Sequence, residues 1–526
     1  MIRRVCLIGI CCLFIVTSCQ NREPQGASIQ GKDFAQSTEK SVIMVMIDSM
    51  TADLLDAAKE EGIIPGLSFL MENGTYFDEL IAPFPSMSVV IESTLITGSL
   101  PDEHKVPGLV WYHAEEDRLV DYGSTPETYM KLGLNRVLFD DLSNLNNRHL
   151  SKDVPTIHEI LQDSQMSTGS VNALVYRGNT SHKVNLPEPF DTWMQGQPFE
   201  TKGPDLLSFG TIIEPKVIQA KELDDDHFLD LYGLNDSYGT AVVRTLIEKN
   251  EQPQFLFLFM PDFDQATHDH GQLNLEDFEK VDHAFQDILN SYDSWEQALE
   301  ENIFIVIGDH GQSQIASTAS DAIIPLPTLY EEYEIASLMD APSDGEIVIA
   351  NNHRMVYVYS FQPAHSFDTL ANEALEDLRI QFAAYLEDDE LVIKAPEHKE
   401  PLKVKKGGSW IDPYGQTWTI EGNEQIGDVF FDHDCKRIMY GENPDLFNQL
   451  FHALDSHTST LVLTAKPGYI FESEGAPAHI GGGEHGGIHE EDTKAAMIIA
   501  GTDKAPAHLR MVDLKDFIIR LMTEEN

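Results

Sequence analysis

The chain has 526 residues, too many for one simple core, and its 42% hydrophobic content is that of an ordinary globular protein. Its 35 lysines and arginines stand against 87 aspartates and glutamates, a formal net charge of -52 that argues against binding to a nucleic acid backbone. No nucleic acid partner is therefore expected. A surface this acidic suits a saline or alkaline exterior, and it also suits simple solubility.

Residues 1–18 have the pattern of a secretory signal. Arg3 and Arg4 precede an apolar run from Val5 to Val16 that is too short to span a bilayer. The run ends in Val-Thr-Ser-Cys, and Cys19 resembles the acylated cysteine of a bacterial lipobox. The pattern predicts an extracytoplasmic protein, lipid-anchored through Cys19 to the outer face of a bacterial cell membrane. An ordinary signal peptide that contains cysteines is the alternative, and polar residues 19–40 are interpreted as a tether.

Three continuous apolar runs predict central parallel strands that are buried on both faces. They are Val42–Ile47, Phe255–Met260 and Ile303–Gly308. Each run leads directly into acidic residues, and ligands of open α/β sheets gather at the carboxyl ends of the strands. Helical segments alternate with these strands, so residues 41–340 are predicted to form a catalytic α/β core.

The segment after the first strand predicts a short buried helix over Val89–Ile96, stopped at Thr97-Gly98. Ser88 falls at its start, where unpaired N–H groups and the helix dipole favour an anion. A serine in this position either caps the helix or attacks a phosphate. Local sequence favours the cap, and the aspartates and histidines elsewhere in the chain reverse that preference.

Two long stretches interrupt the alternation of strands and helices. Residues 178–253 are irregular and acidic apart from a predicted helix at Ser237–Lys249, and we interpret them as a lid-like insertion. Residues 341–458 are predicted to form an inserted α+β cap region that contains a helix near Asp368–Leu386. These two insertions are the expected source of substrate selection.

The last segment, residues 459–526, is expected to return to the catalytic core. Strand patterns at Thr460–Lys466 and Ala495–Gly501 flank a glycine-rich stretch that contains His485. A closing amphipathic helix is predicted over Val512–Met522.

Six side chains with metal-binding chemistry lie at or near the predicted strand ends. They are Asp48, Asp264, His268, Asp309, His310 and His485. Three carboxylates and three imidazoles suit Zn²⁺ or a similar transition metal. The spacing of four between Asp264 and His268 places both on one face of a helical turn. Each residue alone has an ordinary explanation, as an N-cap or a satisfied histidine, but six of them at strand ends make coincidence improbable.

The order of these motifs resembles the alkaline phosphatase superfamily and, within it, the type I phosphodiesterase/nucleotide pyrophosphatase group. That group has an Asp after the first strand, a Thr or Ser nucleophile before Thr-Gly and Pro-x-x-His, then Asp-x-x-x-His, Asp-His-Gly and a late His-Gly. The matching residues are Asp48, Ser88 with Thr97-Gly98 and Pro101 to His104, Asp264 to His268, Asp309 to Gly311, and His485-Gly486. The resemblance implies a three-layer α/β/α sandwich with a largely parallel central sheet and inserted cap regions.

The resemblance also implies two divalent metal ions, zinc or manganese. One would be held by Asp264, His268 and His485, and the other by Asp48, Asp309 and His310 with the Ser88 oxygen beside it. Ser88 would be the nucleophile and would form a phosphoseryl or phosphodiester-seryl intermediate. The implied activity is hydrolysis of a small-molecule phosphate ester by a phosphodiesterase or pyrophosphatase.

The chain departs from the group at two positions, and the first, Ser88 in place of the more usual Thr, is chemically minor. The second bears on the substrate. Leu109 stands where nucleotide pyrophosphatases have an Asn that holds a phosphate oxygen, which puts a nucleotide substrate in doubt. No arginine is an evident clamp for a dianionic monoester, and Arg177 and Arg354 are the candidates. A phosphomonoesterase, or a hydrolase of lipid phosphoryl head groups, with the same metals is therefore the alternative.

A solute-binding lipoprotein without activity is a third hypothesis, disfavoured because such a protein has no use for Ser88 among two metal sites. Glu484 and His489 lie near His485, where the alternative is that they support the metal ligands, and we interpret both as parts of a solvated loop. The stretch Asp432–Cys435 is interpreted as an acidic surface loop. The sequence does not predict an oligomeric state.

Overall fold

The computed structural model describes residues 40–184, 199–210, 212–218, 234–339, 341–361, 365–454, 460–476 and 478–524. The predicted signal segment, Cys19 and nearly all of the tether lie outside these residues, as does much of the predicted lid. Within the described ranges, no helix is both long enough and apolar enough to cross a membrane.

The centre of the molecule is a seven-stranded sheet. In spatial order its strands are Gly74–Ile81, Lys494–Ala500, Asn302–Gly308, Ser41–Ile47, Phe255–Met260, Thr168–Val171 and Leu206–Ser208. The three predicted apolar runs are neighbours at its middle and pair in parallel. Lys494–Ala500 runs antiparallel to both of its neighbours, Asn302–Gly308 and the edge strand Gly74–Ile81. The largely parallel central sheet is thus confirmed, with one reversed strand next to its edge.

Helices cover both faces of this sheet because alternate side chains of each strand point to opposite sides. On one face Val42, Met44 and Met46 join a cluster with the helices Ser88–Thr97, Ile157–Asp163 and Leu514–Thr523. The opposite face packs against Ala52–Glu61, Pro65–Glu72, Asp236–Glu248 and Leu275–Leu289. This arrangement is the predicted three-layer α/β/α sandwich.

The inserted region is built on a second sheet of nine strands. They are Ile347–Asn352, Met355–Ser360, Thr460–Ala465, Ile380–Glu387, Glu390–Lys394, Leu402–Ile411, Thr417–Gly422, Val429–Asp432 and Arg437–Tyr440. The predicted helix Asp368–Leu386 is wrong in its second half, because the helix spans Phe367–Ala374 and a strand begins at Ile380. That strand is buried between two antiparallel partners, and this pairing outweighs its local helical pattern.

Two predicted boundaries differ from the structure. Thr460–Ala465 pairs with Met355–Ser360 in the second sheet, so the chain rejoins the central sheet only at Lys494. Leu206–Ser208, which we assigned to the lid, is the edge strand of the central sheet and pairs with Thr168–Val171. The predicted insertions therefore contain elements that belong to neighbouring layers.

Shorter elements complete the described chain. Further helices are Pro101–His104, Pro126–Leu132, Leu134–Phe139, Asp140–His149 (a π-helix), Asp262–His270, Trp295–Glu301, Ala319–Ala322, Leu326–Leu329, Pro342–Asp344, Leu446–Ala453, Glu490–Thr493 and Met511–Asp513. Small strand pairs are Val110–His113 with Arg118–Asp121, Thr180–Val184 with Phe199–Gly203, Ser313–Gln314 with Gly483–Glu484, and Ile323–Pro325 with Ile470–Glu472.

Candidate active site

The predicted acidic residues meet at one edge of the central sheet. Asp48 and Asp309 directly follow two neighbouring parallel strands, in which Ile47 is level with Gly308. The third strand ends at Met260 and leads into the helix Asp262–His270. Carboxyl ends of parallel strands share an edge, so the topology itself gathers these side chains.

Asp48, Asp309 and His310 form a compact buried group. One ligand atom from each lies within 4.8 Å of the others. His310 Nε2 is 3.5 Å from Asp48 Oδ1 and 3.4 Å from Asp309 Oδ2. Asp309 Oδ2 and His310 Nε2 are buried and have no hydrogen-bond partner in the described part of the chain. Buried polar atoms are rarely left unpaired, so this donor set fits a divalent cation.

Asp264, His268 and His485 form an adjoining group. Asp264 and His268 share one turn of their helix, with Asp264 Oδ2 3.1 Å from His268 Nε2. Asp264 Oδ1 lies 3.9 Å from His485 Nε2. The two groups touch, because the rings of His310 and His485 stack with centroids 3.8 Å apart and an interplanar angle of 13°.

The three histidines are oriented in the same way. In each, Nδ1 faces a backbone carbonyl: Gly483 at 2.8 Å for His268, Gly311 at 3.1 Å for His310, and Ser86 at 2.7 Å for His485. When Nδ1–H donates to that oxygen, Nε2 keeps its lone pair in the neutral rings of His310 and His485 and is free to bind a metal, whereas Nε2 of His268 first has to give up the proton that it shares with Asp264. This is the usual outer arrangement around metal-binding histidines, and it supports the fit of these residues to metal ions.

The charges of the site also suit cations. Burial, with repulsion from Asp309 and Asp264, raises the pKa of Asp48 well above its usual value, and burial raises the pKa of Asp309 to about 6. Burial lowers the pKa of His310 to about 4 and that of His485 well below its ordinary value, which keeps both rings neutral. Bound cations would offset the repulsion among the carboxylates, and neutral imidazoles would be ready to bind them.

Asp264 and His268 behave as an ion pair. Burial opposes the charged carboxylate, but the neighbouring His268 holds the pKa of Asp264 well below its usual value. Burial likewise opposes the charged ring, and Asp264 nevertheless raises the pKa of His268 to about 10. In the absence of a metal this proton takes the place that a cation would occupy, so metal binding at this pair would release it.

Ser88 is the first residue of the buried helix Ser88–Thr97, while Met87 is the N-cap residue and makes no side-chain cap. The Ser88 hydroxyl has no hydrogen-bond partner among the described residues. The capping alternative is therefore not supported by the structure. Two residues earlier, Ser86 Oγ accepts from Gly486 N at 2.9 Å and lies 3.0 Å from Gly487 O, so the segment leading into Ser88 is bonded to the His485 loop.

Ser49 and Gln312 belong to the site and were not predicted. Ser49 has a left-handed φ of 57°, and its backbone N donates to Asp309 Oδ1 at 2.9 Å. Its hydroxyl lies 3.0 Å from Asp264 Oδ1, which also accepts from Gln312 Nε2 at 2.6 Å. Ser49 thus orients two carboxylates, Asp309 after one strand and Asp264 in the helix Asp262–His270. The available signal was a small polar residue directly after a strand-end aspartate.

Two neighbours of His485 were misinterpreted as solvated. Glu484 is fully buried because Gly483–Glu484 pairs with Ser313–Gln314, and its carboxylate accepts hydrogen bonds from two imidazoles. His489 is also buried and caps the helix Glu490–Thr493. The Asp432–Cys435 interpretation is confirmed, since these residues form an exposed turn in which Asp432 accepts two backbone N–H groups.

The residues considered for phosphate recognition have structural roles. Arg354 is fully buried and paired with Asp492. Arg177 is bonded to Glu159 and to three backbone carbonyls. Leu109 packs partly buried against two apolar clusters. Both candidate arginines are therefore held in internal ion pairs.

Comparisons with known proteins are consistent with this geometry. The sequence profile of the family described as type I phosphodiesterase / nucleotide pyrophosphatase matches residues 42–488. The structure of murine ectonucleotide pyrophosphatase / phosphodiesterase 5 is similar, with a TM-score of 0.53, 13% identity, and coverage of 93% of this chain and 96% of that one. An inactive form of the murine protein in complex with AMP has a TM-score of 0.52 at 13% identity, with the same coverage. The human protein has a TM-score of 0.51 at 12% identity, again covering 93% and 96%. No curated protein matches the chain.

Proposed function

The chain belongs to the type I phosphodiesterase / nucleotide pyrophosphatase family and is a phosphoric ester hydrolase, and we propose that it is a two-metal phosphodiesterase or pyrophosphatase with Ser88 as its nucleophile. The observation that carries this proposal is the pair of adjoining ligand groups at the sheet edge, with Asp309 Oδ2 and His310 Nε2 buried and unpaired among the described residues. The substrate is a small-molecule phosphate ester.

The residues divide between two divalent ions, with zinc the better match to a mixed imidazole and carboxylate set and manganese the alternative. Asp48, Asp309 and His310 would hold one ion with the Ser88 oxygen beside it. Asp264, His268 and His485 would hold the other. When bound, the ions supply charge stabilisation at phosphorus and a lowered pKa for the attacking hydroxyl.

The chain's own groups perform the remaining work. The Ser88 hydroxyl attacks phosphorus and loses its proton to solvent, and the bond from phosphorus to the leaving-group oxygen breaks. The leaving group takes up a proton, and the phosphoryl group stays on Ser88. Water then attacks the same phosphorus, releases Ser88 as a hydroxyl, and completes the hydrolysis. The unpaired N–H groups at the start of the helix Ser88–Thr97 favour the developing negative charge.

A diester is the favoured substrate class. A dianionic monoester calls for a positively charged clamp, and Arg177 and Arg354 are both occupied by internal ion pairs. A diester carries one negative charge fewer and needs less compensation. A phosphomonoesterase, or a hydrolase of lipid phosphoryl head groups, with the same metals remains the second candidate.

Substitution of Ser88 tests the nucleophile. Ser88→Ala should retain the fold and both metal sites while activity falls by several orders of magnitude, because it removes the oxygen that attacks phosphorus. Ser88→Thr should retain substantial activity. Ser93→Ala is the matched control, since Ser93 lies in the same helix and its hydroxyl only donates to Val89 O.

Mass spectrometry of an acid-quenched reaction should find a phosphoryl adduct on the peptide that contains Ser88. An unmodified peptide together with an active Ser88→Ala enzyme would contradict the assignment. If Ser88 only capped the helix, Ser88→Ala would instead lower the free energy of unfolding by roughly 1 kcal/mol and leave turnover largely intact.

The cellular location follows from the amino-terminal pattern. The protein is exported, cleaved before Cys19, acylated on that cysteine and held at the outer face of a bacterial cell membrane. The apolar run from Val5 to Val16 and the Val-Thr-Ser-Cys ending support this part of the proposal.

A further inference from the structure

His353 stands in the candidate metal site, although no motif predicted it. It occupies the two-residue turn between the strands Ile347–Asn352 and Met355–Ser360 of the second sheet. Its ligand nitrogen lies within 4.8 Å of those of His268 and His485. The ring centroids are 6.0 Å from His268 and 5.4 Å from His485. The inserted region therefore delivers an imidazole to the edge of the central sheet.

The His353 ring is oriented like the three predicted histidines. Its Nδ1 lies 2.7 Å from Glu484 Oε2, and Glu484 is fully buried. Its Nε2 is buried and has no hydrogen-bond partner in the described ranges. In the carboxylate–histidine–metal arrangement, one ring nitrogen donates to a carboxylate and the other binds the metal. In His353, Nδ1 faces the Glu484 carboxylate and Nε2 is left for a metal. A buried nitrogen without a partner costs free energy unless something binds it.

The turn is held firmly against the His485 loop. Arg354 N donates to His485 O at 3.2 Å, and the Arg354 guanidinium pairs with Asp492, whose other oxygen accepts from Gly487 N at 2.7 Å. His353 itself has a left-handed φ of 63°. A bulky residue in this conformation is uncommon, and it persists only where the surroundings impose it.

We infer that His353 is a further metal-binding residue, which adds a donor from the inserted region to the site of Asp264, His268 and His485. This inference rests on the two-metal proposal. His268, His353 and His485 then form a group of three imidazoles whose ligand atoms lie within 4.8 Å of one another, with Asp264 paired to His268 at 3.1 Å beside it. Imidazole nitrogens are preferred zinc ligands. The inserted sheet then has a role in assembling the metal centre, and the site would form fully only when both sheets are folded together.

Binding of Co²⁺ to the full chain tests the inference. His353→Ala should weaken one of two sites by at least 10- to 100-fold in Kd, leave the other unchanged, and alter the visible absorption of Co²⁺. His353→Asn should do the same while its amide, at the position of Nδ1, still donates to Glu484, which covers the event that the alanine variant does not fold. His452→Ala is the control, because that ring pairs with Asp102.

The outcomes separate this inference from the function it rests on. Unchanged Kd values and an unchanged Co²⁺ spectrum in a folded His353 variant would overturn the role of His353 and leave the two-metal enzyme standing. A wild-type protein that binds no Co²⁺ would overturn the two-metal proposal and, with it, the role of His353.

Discussion

His485 Nδ1 lies 2.7 Å from the carbonyl oxygen of Ser86, two residues before Ser88. The contact joins the loop that contains His485 to the segment that leads into the helix Ser88–Thr97. The two bonded residues are 399 positions apart in the sequence. Orientation of the His485 ring is thus linked to the placement of the proposed nucleophile. Because the hydroxyl of Ser86 also bonds with Gly486 and Gly487, this link has three separate hydrogen bonds.

Ser86→Ala should weaken this link. The substitution leaves the buried Gly486 N–H without its partner, which costs about 1–3 kcal/mol in unfolding free energy. We expect kcat/KM and the affinity of one metal to fall as well, because the loop positions His485. Urea unfolding and metal titration measure both effects. Ser93→Ala, the same deletion within the helix, should leave metal affinity unchanged, and equal effects of the two substitutions would contradict the link.

The central sheet could be predicted because its signals are local. The runs Val42–Ile47, Phe255–Met260 and Ile303–Gly308 are apolar along their length, and burial on both faces requires such runs. Their carboxyl ends share an edge, so aspartates that follow them must approach one another. The structure brings Asp48 and Asp309 together for this reason.

His353 and Glu484 could not be predicted from local sequence. His353 lies in a hairpin turn of the second sheet, and its meaning depends on how that sheet docks against the His485 loop. Glu484 lies in a glycine-rich stretch that looks solvated until Gly483–Glu484 pairs with a distant strand. The second half of Asp368–Leu386 was missed for the same reason, since strand partners distant in sequence outweigh its helical pattern.

Metal analysis of the mature protein should find close to two transition-metal ions per chain. The expectation rests on two adjoining ligand groups, one with Asp48 and Asp309 and one with Asp264, which lies 3.1 Å from His268 and 3.9 Å from His485. His485→Ala should reduce the content to about one, because it removes a donor from one group only. Protein that holds no ion after refolding with excess Zn²⁺ would contradict the metal proposal.

Diesters should be hydrolysed with a higher kcat/KM than monoesters. The reason is that Arg177 and Arg354 are occupied by ion pairs and cannot clamp a dianion. Comparison of bis-p-nitrophenyl phosphate with p-nitrophenyl phosphate, each with Zn²⁺ and with Mn²⁺, measures the preference. A clear monoester preference would move the assignment to the phosphatase alternative.

Cys19→Ala should release the protein from the membrane. If Cys19 carries the lipid, its removal prevents acylation, and the protein should appear in the periplasm or the medium. A single acyl chain gives only marginal membrane residence, so mass spectrometry of the wild-type amino terminus should find two or more chains. A Cys19→Ala protein that stays in the membrane fraction would point to a different anchor. Cys435→Ala should not change the fractionation, since Cys435 is an exposed thiol far along the chain.

His104 should make the protein less stable in mild acid. Its ring is fully buried, with Nδ1 accepting from Val106 N at 3.1 Å and Nε2 3.2 Å from Thr94 Oγ1. Burial lowers the pKa of His104 from 6.5 to about 3. Between these two values the unfolded chain binds a proton that the folded chain does not, so stability falls as the pH falls below about 6.5.

The size of this effect is roughly 1.4 kcal/mol per pH unit, or about 2 kcal/mol between pH 6.5 and pH 5. His104→Asn removes the titration and keeps an oxygen that can accept from Val106 N. The loss of unfolding free energy from pH 7.5 to pH 5 should therefore be smaller in His104→Asn than in the wild type by about that amount. His433→Asn is the control for the loss of an exposed imidazole by the same substitution. Parallel curves for the wild type and His104→Asn would show that His104 is not buried in the neutral form.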